Sequence, residues 1–335
     1  MRVAFDSRPL SDPNGVGRYA RCLLHALRET ASSGDEVLET HKASAPSRSL
    51  RADVFHSPWM AGAMLRSPCP AVVTLHDVAV LKRRSEYLRS GMRVRLRNLA
   101  MQRAASVIVP TEAVGRDAVG HLRLERERVV VIPEAADATM YPRPAHEVAA
   151  VRSSLSLPDE YLVWVGDLQH PDPSKHVAQL AAAPRRLPLV LVGEPRQWAR
   201  ELPGVILAGH LDDAQLAAVY SGAHALVLPS EEEGFGLPAV EALACGTPVI
   251  ASDIPSLREA LGERATFVAR GNIRTLIEAA ERVSRPAPPP LSWTWEDAAR
   301  ATWGVYQRAA APAPRAGARA IRRGAPARGI GSVEP

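Results

Sequence analysis

Short apolar runs, each stopped by Pro, Gly, Asp or a polar residue, alternate with helical patterns along almost the whole chain. The first half carries RVAFD, DVFHS, AVVTLHD, SVIVP and VVVIP. The second carries YLVWVGD, PLVLVGE, GVILAG, HALVLPS, TPVIAS and ATFVA. Runs this short and this continuously apolar suit strands buried on both faces, the pattern of parallel sheets covered by helices. The alternation predicts an α/β fold of two doubly wound, Rossmann-like domains. A chain of 335 residues is long enough for two cores. The expected division is 1–150 and 151–290, with the border in the Pro-rich stretch from Tyr141 to Pro158. Successive prolines in RPAPPPLSW, Arg285 to Trp293, exclude helix there. TWEDAARATWGVYQRAA then predicts a final amphipathic helix, roughly 293–311.

Charge needs to be placed before it is interpreted. From Pro312 on, five arginines against one glutamate account for +4 of the formal +5. The body is near neutral, so the basic balance does not indicate a nucleic-acid partner. The tail 312–335 is poor in bulky apolar residues and is expected to be disordered. LKRRSEYLRSGMRVRLRNLAMQRAA, Leu81 to Ala105, sets eight Lys/Arg against one Glu. It reads as a solvated face or as a peripheral contact with an anionic membrane. Cys22, Cys69 and Cys245 show neither metal spacing nor a disulfide framework. RVAF enters a strand at once, without a signal-peptide pattern, and no apolar run approaches a membrane span. The expected compartment is the cytoplasm.

The most informative segment is Pro229 to Ala251, PSEEEGFGLPAVEALACGTPVIA. A buried strand ends at Pro229, and Gly234 and Gly236 bracket Phe235 in a tight turn. Pro238 suits the first turn of a helix, and Val240, Leu243 and Ala244 follow helical spacing. Free N–H groups at that helix start favour phosphate, and Glu233 and Glu241 suit sugar hydroxyls. Helix capping by a solvated acidic turn is the plainer alternative.

EGFGLPAVEALACGTPVI resembles the signature of the GT-B-type, retaining glycosyltransferases of family 4 (group 1), whose E-x7-E core fits Glu233 and Glu241. The resemblance implies that Glu233 contacts donor-sugar hydroxyls and that Glu241 holds the ribose of a nucleotide. It also implies that backbone N–H groups at Phe235, Gly236 and Leu237, after Gly234, contact sugar and diphosphate. It spans roughly residues 1–310 and implies that the final helix crosses back onto the first domain.

Other loops take meaning from the same resemblance. SRPLSDPNGVGRYARCLLHAL carries Gly15 and Gly17 before a helix and resembles the family's glycine loop over donor phosphates, with Arg18 and Tyr19 matching its frequent GRY. About eight residues separate Asp6 from Gly15, which speaks against a dinucleotide fingerprint. In VVTLHDVAVL, His76 ends an apolar strand and matches a histidine placed beside the reacting sugar. His56, in VFHSPW, matches another family histidine or is a packing residue. In VWVGDLQHPDPSKHVAQL, Lys175 matches the lysine that neutralises the donor diphosphate. Ser174 stands where the family commonly has arginine, and Asp167 where others carry a second one, so Arg196 is the candidate to compensate. Leu211, in the segment Gly209 to Leu211, is expected near the nucleobase, and Asp212 and Asp213 are expected to cap the next helix.

The implied reaction moves a hexosyl group from a nucleotide diphosphate sugar to a hydroxyl, with retention of configuration. It needs no metal and no cofactor, since helix N–H groups and Lys175 would carry the leaving-group charge. The acceptor is a sugar, a lipid-linked molecule or a small metabolite, in keeping with cell-envelope polysaccharide or glycolipid synthesis. The alternative is a sugar-nucleotide-binding protein on the same fold with impaired or epimerase-type activity.

Overall fold

A computed structural model describes residues 1–41, 51–78 and 91–311, without the side chains of Gly91, Arg93 and Val94. The expected disordered tail, and the part of the basic segment from 81 to 90, lie outside the described residues. Two six-stranded sheets carry the architecture. The first contains β1 (Arg2–Asp6), β2 (Glu36–Thr40), β3 (Val54–Ser57), β4 (Ala71–Thr74), β5 (Ser106–Val109) and β6 (Val129–Val131), in the order 2-1-3-4-5-6. The second contains β7 (Leu162–Val165), β8 (Leu189–Val192), β9 (Val205–Gly209), β10 (Ala225–Leu228), β11 (Val249–Ser252) and β12 (Thr266–Val268), in the order 12-11-10-7-8-9. Every strand pair is parallel. The apolar runs of the sequence become these strands because helices cover both faces.

β2 is the strand that the apolar pattern does not reveal. Its sequence, EVLET, sets only two apolar residues between two glutamates, and it pairs on one side only, with β1. An edge strand keeps part of its surface wet and needs no continuous apolar run.

The described helices are α1 (Gly15–Glu29), α2 (Gly91–Met101), α3 (Glu112–Leu122), α4 (Ala145–Ser154), α5 (Val177–Ala182), α6 (Gln197–Arg200), α7 (Asp213–Gly222), α8 (Leu237–Ala244), α9 (Pro255–Leu261), α10 (Ile273–Ala280) and α11 (Trp295–Ala310). Helix α4 spans the expected border at 150 and packs against α7, on the side of the second sheet. None of these helices is long and apolar enough to cross a membrane.

Helix α11 starts at a capping box between Thr294 and Asp297, then returns to pack on α1, β3 and β4. It buries Trp295, Trp303 and Tyr306. Trp303 Nε1 donates to the Leu27 carbonyl at 3.3 Å, and Trp295 meets the Tyr19 ring edge-on at 5.6 Å. Tyr306 Oη hydrogen-bonds His56 Nδ1, while His56 Nε2 lies 3.0 Å from Thr74 Oγ1. Burial pushes the His56 pKa down to about 3, so this ring is a neutral, satisfied core group. Replacing Tyr306 by Phe strands Nδ1 in the core and should lower stability by about 1–3 kcal/mol. Urea unfolding of the two proteins measures this; equal midpoints would contradict it.

One hydrophobic cluster runs from Val3, Phe5 and Leu23 to Leu226, Leu243 and Val249, joining the two halves. Polar latches add to it. Glu259 on α9 accepts from the N–H groups of Glu112 (2.6 Å) and Ala113 (3.0 Å), capping α3 of the opposite half. Thr111 Oγ1 donates to the Gly234 carbonyl at 3.1 Å.

Candidate active site

Strand order reverses beside β1 in the first sheet and beside β7 in the second, which has β8 on one side and β10 on the other. Open α/β sheets take ligands outside the carboxyl ends of strands at such reversals. Here the carboxyl ends of β7 and β10 meet loops of the first half around a cavity of about 510 Å3. Asn14, Gly15, His76, Asp77 and Glu134 line it from the first half. Gly166, Asp167, Lys175, Glu233 and the turn from Gly234 to Pro238 line it from the second. A smaller cavity of about 110 Å3 shares Asn14, Gly15, Gly166 and Leu237 with the first and extends to Arg18, His210, Leu211 and Glu241.

Glycine shapes the turn that presents Glu233. Gly236 caps α8 with φ +87°, and a Cβ there would meet Leu257 Cδ2 at 2.5 Å. A Cβ on Gly234 would lie 1.8 Å from the backbone oxygen of His76. Only a residue without a side chain lets the two halves touch at that point. On the facing loop, Gly15 has open space where a Cβ would be, whereas a Cβ on Gly17 would strike the Asp12 carbonyl at 1.9 Å. Gly15 therefore faces the cavity and Gly17 folds the loop.

Lys175 and Glu233 meet at the cavity wall, with Nζ 2.7 Å from Oε1. Ser230 Oγ donates to the same Oε1 at 2.7 Å, and Ser256 Oγ holds the Glu233 carbonyl at 2.6 Å. Burial alone would lower the Lys175 pKa. The carboxylates of Glu233, Asp77 and Asp172 outweigh it and the pKa rises, so the ammonium stays charged. Of the other acids in the run, exposed Glu231 pairs with His176 at 2.9 Å.

Glu241 is 2% exposed on α8 and faces Arg18, which comes from the other half. Arg18 Nε lies 3.2 Å from Glu241 Oε1, and the same guanidinium binds Asp213. Tyr220 Oη donates to Glu241 Oε2 at 3.3 Å. Burial pushes the Glu241 carboxyl up to about 7 despite Arg18 and Tyr220. Asp212 caps α7 through a capping box with Gln215, whereas Asp213 is turned to Arg18.

His76 has both ring nitrogens engaged. Nε2 donates to the Pro58 carbonyl at 2.9 Å, and Nδ1 lies 3.0 Å from Glu134 Oε1. Burial opposes the charged ring, but the bond to Glu134 prevails and raises the pKa. With an acceptor at each nitrogen, the ring is favoured as an imidazolium at the cavity wall.

Ser174 and Arg196 are not brought to either cavity. Ser174 is buried, and its Oγ and N–H both bond Asp172 Oδ1, at 2.7 and 2.9 Å. It closes the turn that carries Lys175. Arg196 is exposed at the start of the short helix α6, so it does not supply the cation expected of it. Leu211 lines the smaller cavity. Sequence reasoning matched Arg18 to GRY without giving it a role, and it missed Glu134. The available signal for Glu134 was its place just after VVVIP, at the carboxyl end of β6. The described residues hold no group of three or more His, Cys, Asp or Glu arranged for a metal ion. The assembled site offers N–H groups and Lys175 to an anion and two carboxylates to hydroxyls.

Known proteins resemble this chain in sequence and fold. The model of the glycosyl transferases group 1 matches residues 159–285, and that of glycosyltransferase family 4 matches 37–139. The serotype-specific mannosyltransferase WbdA of Escherichia coli is 28% identical over 226 residues; the match covers 60% of this chain and 27% of that protein. The D-inositol 3-phosphate glycosyltransferase of Mycobacterium leprae is 27% identical over 310 residues, covering 78% of this chain and 72% of the relative. Anabaena HepE, solved in complex with UDP and glucose, superposes with a TM-score of 0.65 at 18% identity, over 92% of this chain and 95% of that one. The group 1 match falls on the half that carries Lys175, Glu233 and Glu241 and the family 4 match on the half that faces it: the chain carries a family 4 glycosyltransferase domain followed by a group 1 glycosyltransferase domain, in a GT-B fold.

Proposed function

We propose that this protein transfers a hexosyl group from a nucleotide diphosphate sugar to a hydroxyl acceptor, with retention of configuration and without a metal ion. One observation carries the reading: the Lys175–Glu233 pair and the Glu241 carboxylate flank two adjoining cavities at a strand-order reversal. The sugar and diphosphate occupy the larger cavity and the nucleoside the smaller one. Lys175 and the N–H groups at the start of α8 take up charge on the departing diphosphate. Glu233 positions the sugar hydroxyls, Glu241 accepts from the ribose, and the base lies by Leu211. The His76 imidazolium adds positive charge beside the transfer centre.

Thermal-shift titration with UDP-, GDP-, ADP- and dTDP-sugars tests the donor class, because a ligand of the native state raises the unfolding midpoint. No shift with any of them would refute the reading. One feature favours a second reading, a binding protein with impaired turnover: Asp77 and Asp172 act on Lys175 beside Glu233, and Asp167 adds a further acid to the cavity wall, where an arginine would strengthen anion binding. Donor binding without transfer to any acceptor distinguishes it.

The site works at a membrane surface in this proposal. On α2, Met92, Leu96 and Leu99 are 66%, 43% and 39% exposed on one face, beside exposed Arg95. Such a stripe suits insertion among anionic headgroups. The protein should co-sediment with phosphatidylserine vesicles at low salt, and Leu96→Glu should weaken this by about tenfold. Absence of wild-type binding at low salt contradicts the membrane contact.

A further inference from the structure

The donor cavities do not use all the space between the halves. A third cavity, of about 400 Å3, lies on the other side of Phe235. Phe235 and Glu134 line both it and the larger donor cavity. Its other walls include Val131, Ala260, Leu291 and Trp293, contributed by both halves and by the segment that joins them to α11. Trp293 is fixed as a wall, since its Nε1 donates to the Pro133 carbonyl at 3.0 Å. Leu291 is 44% exposed. Apolar walls with a few polar groups are the composition of a small-molecule pocket. Two of those polar groups are already committed: Thr111 to Gly234, and Glu259 to the start of α3. Glu134 is 5% exposed and takes His76 on Oε1, yet a carboxylate accepts several hydrogen bonds.

We propose that this third cavity holds the apolar body of the acceptor, a hydroxylated aromatic or alicyclic molecule, with its reacting hydroxyl donating to Glu134. The proposal rests on the glycosyl-transfer reading. Glu134 sits in the wall common to both cavities, so a hydroxyl bonded to it borders the space given to the donor sugar. In the transfer, the acceptor oxygen bonds the anomeric carbon on the same face that the diphosphate leaves, as retention in one step requires. The bond from that carbon to the diphosphate breaks, its electron pair leaves with the diphosphate, and the hydroxyl proton passes to Glu134. The neighbouring His76 holds Glu134 in place through Nδ1, 3.0 Å from Oε1.

The test uses 2-naphthol as probe and the full chain as wild type, Ala260→Trp and Leu291→Glu. The first substitution fills the cavity; the second places a charge at an exposed wall position and spares the core. Calorimetric binding of 2-naphthol should weaken by about tenfold or more in both, and the KM for its glycosylation should rise in parallel. The unfolding midpoint of each variant reports whether the fold is kept. Unchanged 2-naphthol binding in both variants would overturn the proposal. So would wild type that binds 2-naphthol unaltered while transferring sugar to a free hexose instead. Failure of wild type to bind any nucleotide sugar is a different result, and it removes the transferase reading together with the acceptor assignment.

Discussion

Lys175→Ala should lower kcat for sugar transfer by about 100- to 1000-fold, the usual cost of removing one preorganised charge stabiliser. Among the described residues, Lys175 is the one lysine or arginine that lines the larger cavity. The turn around it offers no substitute: Ser174 is turned into its own loop, and Arg196 points into solvent. Charge on a leaving diphosphate grows as the glycosidic bond breaks, so the loss should fall mainly on kcat and less on the donor KM. Glu233→Ala should also lower transfer, because it removes a sugar contact and the partner of Lys175. Steady-state kinetics with the donor found by thermal shift measure both. Near-wild-type turnover in both variants would refute the assignment of the site.

The second large effect is on stability. The folded protein holds the Glu241 proton up to about pH 7, whereas the reference carboxyl releases it near 4.5. The stabilisation that comes from this raised pKa is fully present below about 4.5 and is lost as pH rises through about 7. A shift of this size corresponds to about 3 kcal/mol. Wild type should therefore lose about that much relative to Glu241→Gln between pH 4.5 and pH 8, since the amide has no proton to release. Arg18→Ala removes the guanidinium that lowers the Glu241 pKa, so its loss should extend to higher pH. Denaturant unfolding across this range reads the difference. Parallel stability curves for wild type and Glu241→Gln would show that the carboxyl is not perturbed in the fold.

The latch residues explain why these effects reach both halves. Arg18 begins near the start of α1 and ends on Glu241 and Asp213 across the cleft. Gly234 lets the donor turn touch the end of the first sheet. A ligand between Glu241 and Arg18 must compete with an existing ion pair, so donor entry is coupled to the contacts that hold the halves together.

The fold was legible because burial on both sides leaves a local mark. A strand such as LVWV or ALVL must be apolar throughout when helices cover it, and that requirement is written in consecutive residues. The turn chemistry of Gly234, Gly236 and Pro238 is local as well, and so is the seven-residue gap between Glu233 and Glu241. EVLET escaped because an edge strand need not be apolar on every residue. Side-chain direction and long-range pairing have no such local record. Whether Ser174 meets a ligand or its own loop depends on Asp172; whether Arg18 is free depends on Asp213 and Glu241. Glu134 and His76 lie far apart in sequence and become partners only past the carboxyl ends of β6 and β4, on either side of β5. The sequence by itself determined the two sheets, the turn and the spaced acids, because periodicity and backbone geometry act over a few residues. Tertiary structure alone decided which cation faces which acid and where cavities remain, because those follow from how two separately patterned sheets come to face each other.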